Sequence, residues 1–182
     1  MGIPLPPYYL TLFLLLFISF NNVGHRNLVF ADDALIEAQC HNAEVPETCI
    51  KCVKSDPRSQ SANKVGIAAI IITCLSNKAT TLINNMTTLA SGARDKNLKV
   101  ALRGCEKGFY YTKTNLIAAT SRLKGKEYDQ TNLLVKQALE EEFVCKMKVK
   151  ALRFNFPSSV TFDMGVYEEL STAVMRIVDR FV

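Results

Sequence analysis

Four stretches of the chain repeat apolar side chains at a helical interval. In the first, about residues 63–90, Val65, Ala69, Ile72, Ala79, Ile83, Met86 and Ala90 fall on one stripe. The second, about 95–124, sets out Leu98, Leu102, Cys105, Phe109, Leu116 and Leu123 in the same way. The third, about 128–152, carries Val135, Ala138, Cys145, Val149 and Leu152, and the fourth, about 161–181, carries Phe162, Val166, Leu170, Ala173, Ile177 and Phe181. Positions three and four apart share a helix face, so each stretch predicts a long amphipathic helix. Breakers separate them: Ser91-Gly92-Ala93, then Gly125, then Asn155 to Ser159 around Pro157. Links this short make consecutive helices antiparallel, which predicts an all-α, up-down four-helix bundle over residues 60–182. No segment alternates with period two for long enough to predict a sheet.

Two smaller units precede the bundle. Tyr8 to Phe20 reads YYLTLFLLLFISF. This run is apolar but shorter than the roughly 20 residues that cross a bilayer. Val29-Phe30-Ala31 suits a signal-peptidase site, so residues 1–31 are expected to be a secretion leader, although no Lys or Arg precedes Tyr8. No second charge-free apolar run follows, and no stable membrane anchor is expected. In residues 32–59, "DDALIEAQC" predicts a short helix, Pro46 opens a second one, and Asp56-Pro57 ends it. The pair forms an N-terminal helical hairpin.

Export changes the meaning of the six cysteines, Cys40, Cys49, Cys52, Cys74, Cys105 and Cys145, all of which lie beyond the leader. An even number in an oxidising compartment reads as a disulfide framework. The Cys49/Cys52 pair raises redox and zinc readings as well. A zinc site needs further Cys or His ligands, and the only histidines are His25 and His41. A thioredoxin-like motif needs a βαβ context that is not visible here. Cys40 and Cys49 close the hairpin. Cys105 and Cys145 sit on the apolar stripes of the second and third bundle helices and can meet if those helices are antiparallel neighbours; two buried free thiols are the alternative. Cys52 and Cys74 remain, and their pairing rests on elimination alone.

The 182 residues carry a net charge of +5, 48% hydrophobic and 21% charged side chains, and no Trp. This composition is that of one globular domain rather than a disordered chain. The charges are mixed along the sequence, and no block is long enough for a nucleic-acid arm. The excess of Lys and Arg reads as a solvated surface; the partner it would favour is an acidic cell-wall polysaccharide. No cofactor or metal is expected. One histidine beyond the leader leaves no Ser/His/Asp arrangement. Glu140-Glu141-Glu142 is not a paired-carboxylate site, because neighbours i and i+1 on a helix point apart, and it reads as a partly exposed face.

Several ordered features resemble the plant invertase and pectin methylesterase inhibitors. They are the leader, Cys40 and Cys49, "KSDPRSQSAN" at Lys54 to Asn63, "ALRGCEKGFYY" around Cys105, and "LVKQALEEEFVC" ending at Cys145. The resemblance covers the whole chain beyond the leader. It implies the four-helix bundle with an N-terminal hairpin and the bridges Cys40–Cys49 and Cys105–Cys145; Cys52 and Cys74 are extra to the common pattern. It also implies function by binding: a secreted inhibitor, not an enzyme, that covers the active-site cleft of a carbohydrate-active enzyme in the wall or vacuole. Invertase inhibitors often carry Pro-Lys-Phe between the second and third bundle helices, where this chain has Lys126-Glu127-Tyr128. Pectin methylesterase inhibitors often carry acids after the cysteine of the second bundle helix and a Thr before the last cysteine. Tyr111, Thr114 and Val144 stand there instead. The Ser55 to Ser59 turn and the missing Pro-Lys-Phe favour pectin methylesterase as the target, with acid invertase the alternative and a non-inhibitory binding or signalling bundle a further one. The expected contacts are Lys107, Tyr111, Lys113, Thr114, Glu140 and Glu141 on the second and third bundle helices. In an acidic wall, such carboxylates would make binding depend on pH. Asn85-Met86-Thr87 is a sequon, making Asn85 a glycosylation candidate.

Overall fold

The computed structural model describes residues 33–181; the expected leader, residues 1–31, lies outside them. Six α-helices follow in order: α1 Asp33–Cys40, α2 Pro46–Lys54, α3 Lys64–Gly92, α4 Lys96–Lys124, α5 Tyr128–Ala151 and α6 Ser158–Val178. Short 3₁₀ turns at Pro57–Ser61 and Asp179–Phe181 complete the described residues. The starts are set by local chemistry. Asn63 Oδ1 accepts from the Gly66 N–H at 2.9 Å, and Asp95 Oδ1 accepts from the Leu98 N–H at 2.7 Å, capping α3 and α4. Pro46 and Pro57 supply a pre-set φ at the first position of their helices. Between α4 and α5 the chain turns on Gly125 and on Lys126, which takes a positive φ of 60°.

The four long helices form an up-down ring in which α3 packs on α4 and α6, and α5 on α4 and α6. Their inward stripes meet in one core that includes Ile67, Ile71, Leu75, Leu102, Phe109 and Tyr167. By length and composition α3 would suffice to cross a membrane, yet it is the core helix of this bundle, with Ile67, Ile70, Ile71 and Leu75 buried. Leu102, Phe109, Val135, Ala138, Val149, Ala173 and Ile177 are buried where the helical period puts them. Phe162 departs from its expected stripe: it is 69% exposed, while Val160 and Met164 turn inward at the start of α6.

The hairpin folds back onto the α3/α6 edge. Arg176 on α6 donates to the Asn42 carbonyl at 2.6 Å and pairs with Glu44 at 3.0 Å. Arg180 donates to the Gln39 carbonyl at 2.9 Å, and Thr48 donates to Glu169 at 2.6 Å. Three disulfides join Cys40 to Cys49, Cys52 to Cys74, and Cys105 to Cys145. The first closes the hairpin, the second fastens it to α3, and the third ties α4 to α5. Because the hairpin covers α3 and α6, the α4/α5 edge stays open.

The bridges enclose 9, 22 and 40 residues of sequence separation. Loop-closure entropy grows slowly with length, giving about 2.5, 3.5 and 4 kcal/mol respectively. Replacing each pair by Ala should therefore lower the melting temperature least for Cys40/Cys49 and most for Cys105/Cys145. Thermal unfolding of the three double variants checks that order.

Candidate target-binding surface

The geometry of the open edge follows from the seam between α4 and α5. Cys105 bonds Cys145, with their Cα atoms 4.9 Å apart. One turn along, Gly108 is buried beneath Glu141: a Cβ placed there would lie 2.7 Å from Glu141 Oε2. One turn further, the buried Thr112 hydroxyl donates to the Ala138 carbonyl at 3.1 Å. These three steps fix an antiparallel register, and with it the residues that stand on either side of the seam.

On α4, Lys107, Tyr111, Thr114 and Ala118 recur at i, i+4, i+7 and i+11, and the first three are exposed. On α5, Leu133, Gln137, Glu140 and Val144 recur in the same way, and all four are exposed. Two parallel stripes thus flank the buried seam. Of the expected contacts, the structure brings Lys107, Tyr111, Thr114 and Glu140 onto them. It places two elsewhere. Glu141 is half-buried in the seam over Gly108. Lys113 is half-buried on the side of α4 that turns to α3, seven residues after Glu106, whose carboxylate accepts from Thr87 of α3 at 2.8 Å. Arg103 holds Glu106 as well, and these bonds keep its carboxyl below the usual range.

Sequence periodicity used only for the core missed the apolar character of this edge. Eleven large apolar side chains are exposed among the described residues, and eight belong to α4 and α5: Val100, Tyr110, Tyr111, Ile117, Leu133, Phe143, Val144 and Met147. Tyr110 and Tyr111 both face solvent. The signal was present in the second apolar period on α5, offset from the Cys145 stripe. Such a concentration on two adjacent helices makes them a candidate interaction surface rather than a scatter of surface apolar residues.

The acidic run is partly exposed, as expected: Glu140 is exposed, Glu141 half-buried and Glu142 buried. Glu142 is 0% exposed, on the core stripe with Ala138, Cys145 and Val149. Lys146 Nζ lies 2.9 Å from Glu142 Oε1 as an ion pair and also bonds Glu168 of α6. Neither Glu142 oxygen makes an aligned hydrogen bond. Burial pushes its pKa up from 4.5 to about 7; the Lys146 contact opposes this, and the charge of Glu168 adds to it. Tyr167 of α6 is buried beside Thr112 and Ser171, with its hydroxyl also unbonded, and burial raises its pKa too. For Asn85, Nδ2 donates to Asp163 of α6 at 3.2 Å, and Asp163 also pairs with Lys78 at 2.9 Å. A glycan on that nitrogen would have to displace this bond.

Residues 34–177 match the family described as plant invertase/pectin methylesterase inhibitor. The chain is 26% identical to the cell wall / vacuolar inhibitor of fructosidase 2 of Arabidopsis thaliana, over 81% of this chain and 83% of that protein. It is also 26% identical to a pectinesterase inhibitor of Actinidia deliciosa, over 74% and 72%. Two crystal structures of pectin methylesterase inhibitors from Arabidopsis share the fold. One is a mutant form with a TM-score of 0.65 and 24% identity, covering 77% of this chain and 92% of that one; the other has a TM-score of 0.61 and 22% identity, covering 83% and 98%.

The buried carboxyl gives stability a pH dependence of definite sign. With its folded pKa raised to about 7 from 4.5, Glu142 binds its proton more tightly in the folded chain. Its stabilisation is full below about pH 4.5 and is lost as pH rises through about 7, a change of about 3 kcal/mol. Glu142→Gln, which mimics the protonated form, should be more stable than the parent at pH 8 by several degrees and should lose that advantage at pH 4.5. Thermal melts of both proteins across this range measure it.

Proposed function

The chain belongs to the plant invertase/pectin methylesterase inhibitor family, and on that premise we propose that it is a secreted inhibitor of a pectin methylesterase of the plant cell wall, docking through the open α4/α5 edge. Members of this family inhibit enzymes and are not enzymes themselves. The observation that carries the docking surface is the gathering of eight exposed apolar side chains on the two helices that the hairpin leaves uncovered. Tyr111 and Val144 stand on facing stripes beside the seam, with Lys107 and Glu140 as polar neighbours. Aromatic anchors amid polar contacts are what a specific protein interface needs. The stripe from Val100 to Ala118 runs about 27 Å along the helix, a length suited to a cleft-covering contact.

The link between α4 and α5 supports pectin methylesterase over invertase. Where the invertase branch often presents Pro-Lys-Phe, Glu127 here pairs with Arg122 at 2.7 Å and Tyr128 packs edge-on against Phe181, with ring centroids 5.2 Å apart. The aromatic ring is engaged within the bundle. Acid invertase is the second reading, favoured by the equal similarity to the inhibitor of fructosidase.

Titration of the oxidised chain from Asp32 onward against a pectin methylesterase and an acid invertase at mildly acidic pH should inhibit the first and spare the second. The reverse result moves the assignment to invertase. Inhibition of neither by a correctly bridged protein removes the inhibitory reading. Tyr111→Ala or Val144→Asp should weaken inhibition by about 30-fold or more, as loss of an interface anchor does. Lys64→Ala, at the start of α3, should leave it unchanged.

A further inference from the structure

The net charge of this protein resides on one helix. Residues 96–124, the span of α4, hold seven Lys and Arg against the single acid Glu106, a net of +6 within a chain of +5; the remainder therefore nets −1. Within α4 the cations are ordered. Lys96, Lys99, Arg103 and Lys107 recur at i, i+3, i+7 and i+11, so they share one outward stripe about 16 Å long. All four are exposed. Arg103 pairs with Glu106 at 2.6 Å, while Lys96, Lys99 and Lys107 form no ion pair among the described residues. The Cys105–Cys145 bridge lays the C-terminal end of α5 alongside this half of α4 and adds Lys148, also exposed and without an ion pair among the described residues.

Helix stability does not account for this placement. The one carboxylate at this end of α4 is that of the cap Asp95; the first turn itself contains no acidic residue, and Lys96 and Lys99 stand there at the positive end of the helix dipole. There a cation is unfavourable, whereas the same charge in the last turn would be favourable. A row of four cations on a rigid helix, three of them unpaired among the described residues and two of them in its first turn, is complementary to an extended polyanion. A linear polymer with a charge on each unit can meet several of them at once, and its bound counterions are released as it does so.

We propose that this stripe of α4, joined by Lys148 of α5, binds a linear polyuronate, the demethylated acidic form of pectin. The choice of uronate among polyanions rests on the reading of the target as a pectin methylesterase, whose reaction turns neutral methyl esters into carboxylates; the charge partition itself does not depend on that reading. Binding of this kind would hold the protein on the polymer where the target's product accumulates.

The test measures binding of the oxidised chain from Asp32 onward to immobilised polygalacturonate, with fully methyl-esterified pectin as the uncharged counterpart and single-stranded DNA as a competing polyanion. Binding to polygalacturonate and not to the ester is expected, weakening about tenfold or more between about 50 and 300 mM NaCl. The variant Lys96→Gln/Lys99→Gln/Lys148→Gln should lose about tenfold in affinity. Lys51→Gln/Lys64→Gln/Lys136→Gln, which removes the same charge elsewhere, should stay within about twofold. Absence of binding to polygalacturonate at low salt overturns the inference. So does equal loss in the two triple variants, or displacement by DNA at lower concentrations than by free polygalacturonate. No enzyme is present in this measurement, so a failure to inhibit pectin methylesterase and a failure to bind uronate are separate results.

Discussion

The close antiparallel contact of α4 with α5 is the constraint on which the proposed binding surface depends. Three successive turns fix it: a disulfide, a glycine lying beneath a glutamate side chain, and a threonine hydroxyl donating to a backbone carbonyl. Each is short-ranged and specific to register. A slip of one residue on either helix would rotate Cys105 or Cys145 off the seam by about 100°. The outward stripes of Tyr111 and Val144 are thus positioned by the same bonds that close the core. A docking face on two rigid helices keeps its side chains in place without ordering a loop, which lowers the entropy lost on association.

The hairpin makes the two edges of the bundle unequal. It is held to α3 and α6 by the Cys52–Cys74 bridge and by Arg176, Arg180 and Thr48, so that edge is covered by the chain itself. Exposed Phe162 and Val45 line a groove there of about 680 Å³ beside Thr48 and Glu169. Among the described residues the opposite edge has no such cover. An up-down bundle with four similar helices thereby acquires one face fastened internally and one left open.

Much of this was legible in the sequence because a single period carried it. The inward stripes predicted four helices, and the same stripes contained Cys105 and Cys145, which the structure joins. Cys52 with Cys74 followed only from what was left over, since nothing local relates a hairpin cysteine to one in α3. The acidic run is partly exposed, as expected, but the sequence does not single out Glu142 as its buried member, four residues after Ala138 and three before Cys145: the interaction that accompanies its burial, with Lys146 and that residue's second partner Glu168 on another helix, is tertiary. Lys113 was misplaced for a related reason: which side of α4 meets α3 is set by the ring order, not by the helix. The charge partition was hidden because cations spaced three and four apart look mixed along a line and become a row only on a helix.

These departures from local rules are concentrated in α4 and α5. The exposed apolar side chains, the buried Glu142 and the lysines at the positive end of a helix dipole all lie on the same two helices. Burial of Glu142 in its charged form costs about 3 kcal/mol, and each cation in the first turn costs up to about 1 kcal/mol. The bridge across this pair encloses the longest loop of the three and supplies about 4 kcal/mol. The opposing contributions are therefore of comparable size, and they act on the same helix pair. As pH falls through about 7 the proton on Glu142 removes most of the opposing contribution, and below about pH 4.5 that relief is complete. The proposed binding surface, apolar and cationic, is thus built where a covalent bond and a protonated core carboxyl can offset its cost.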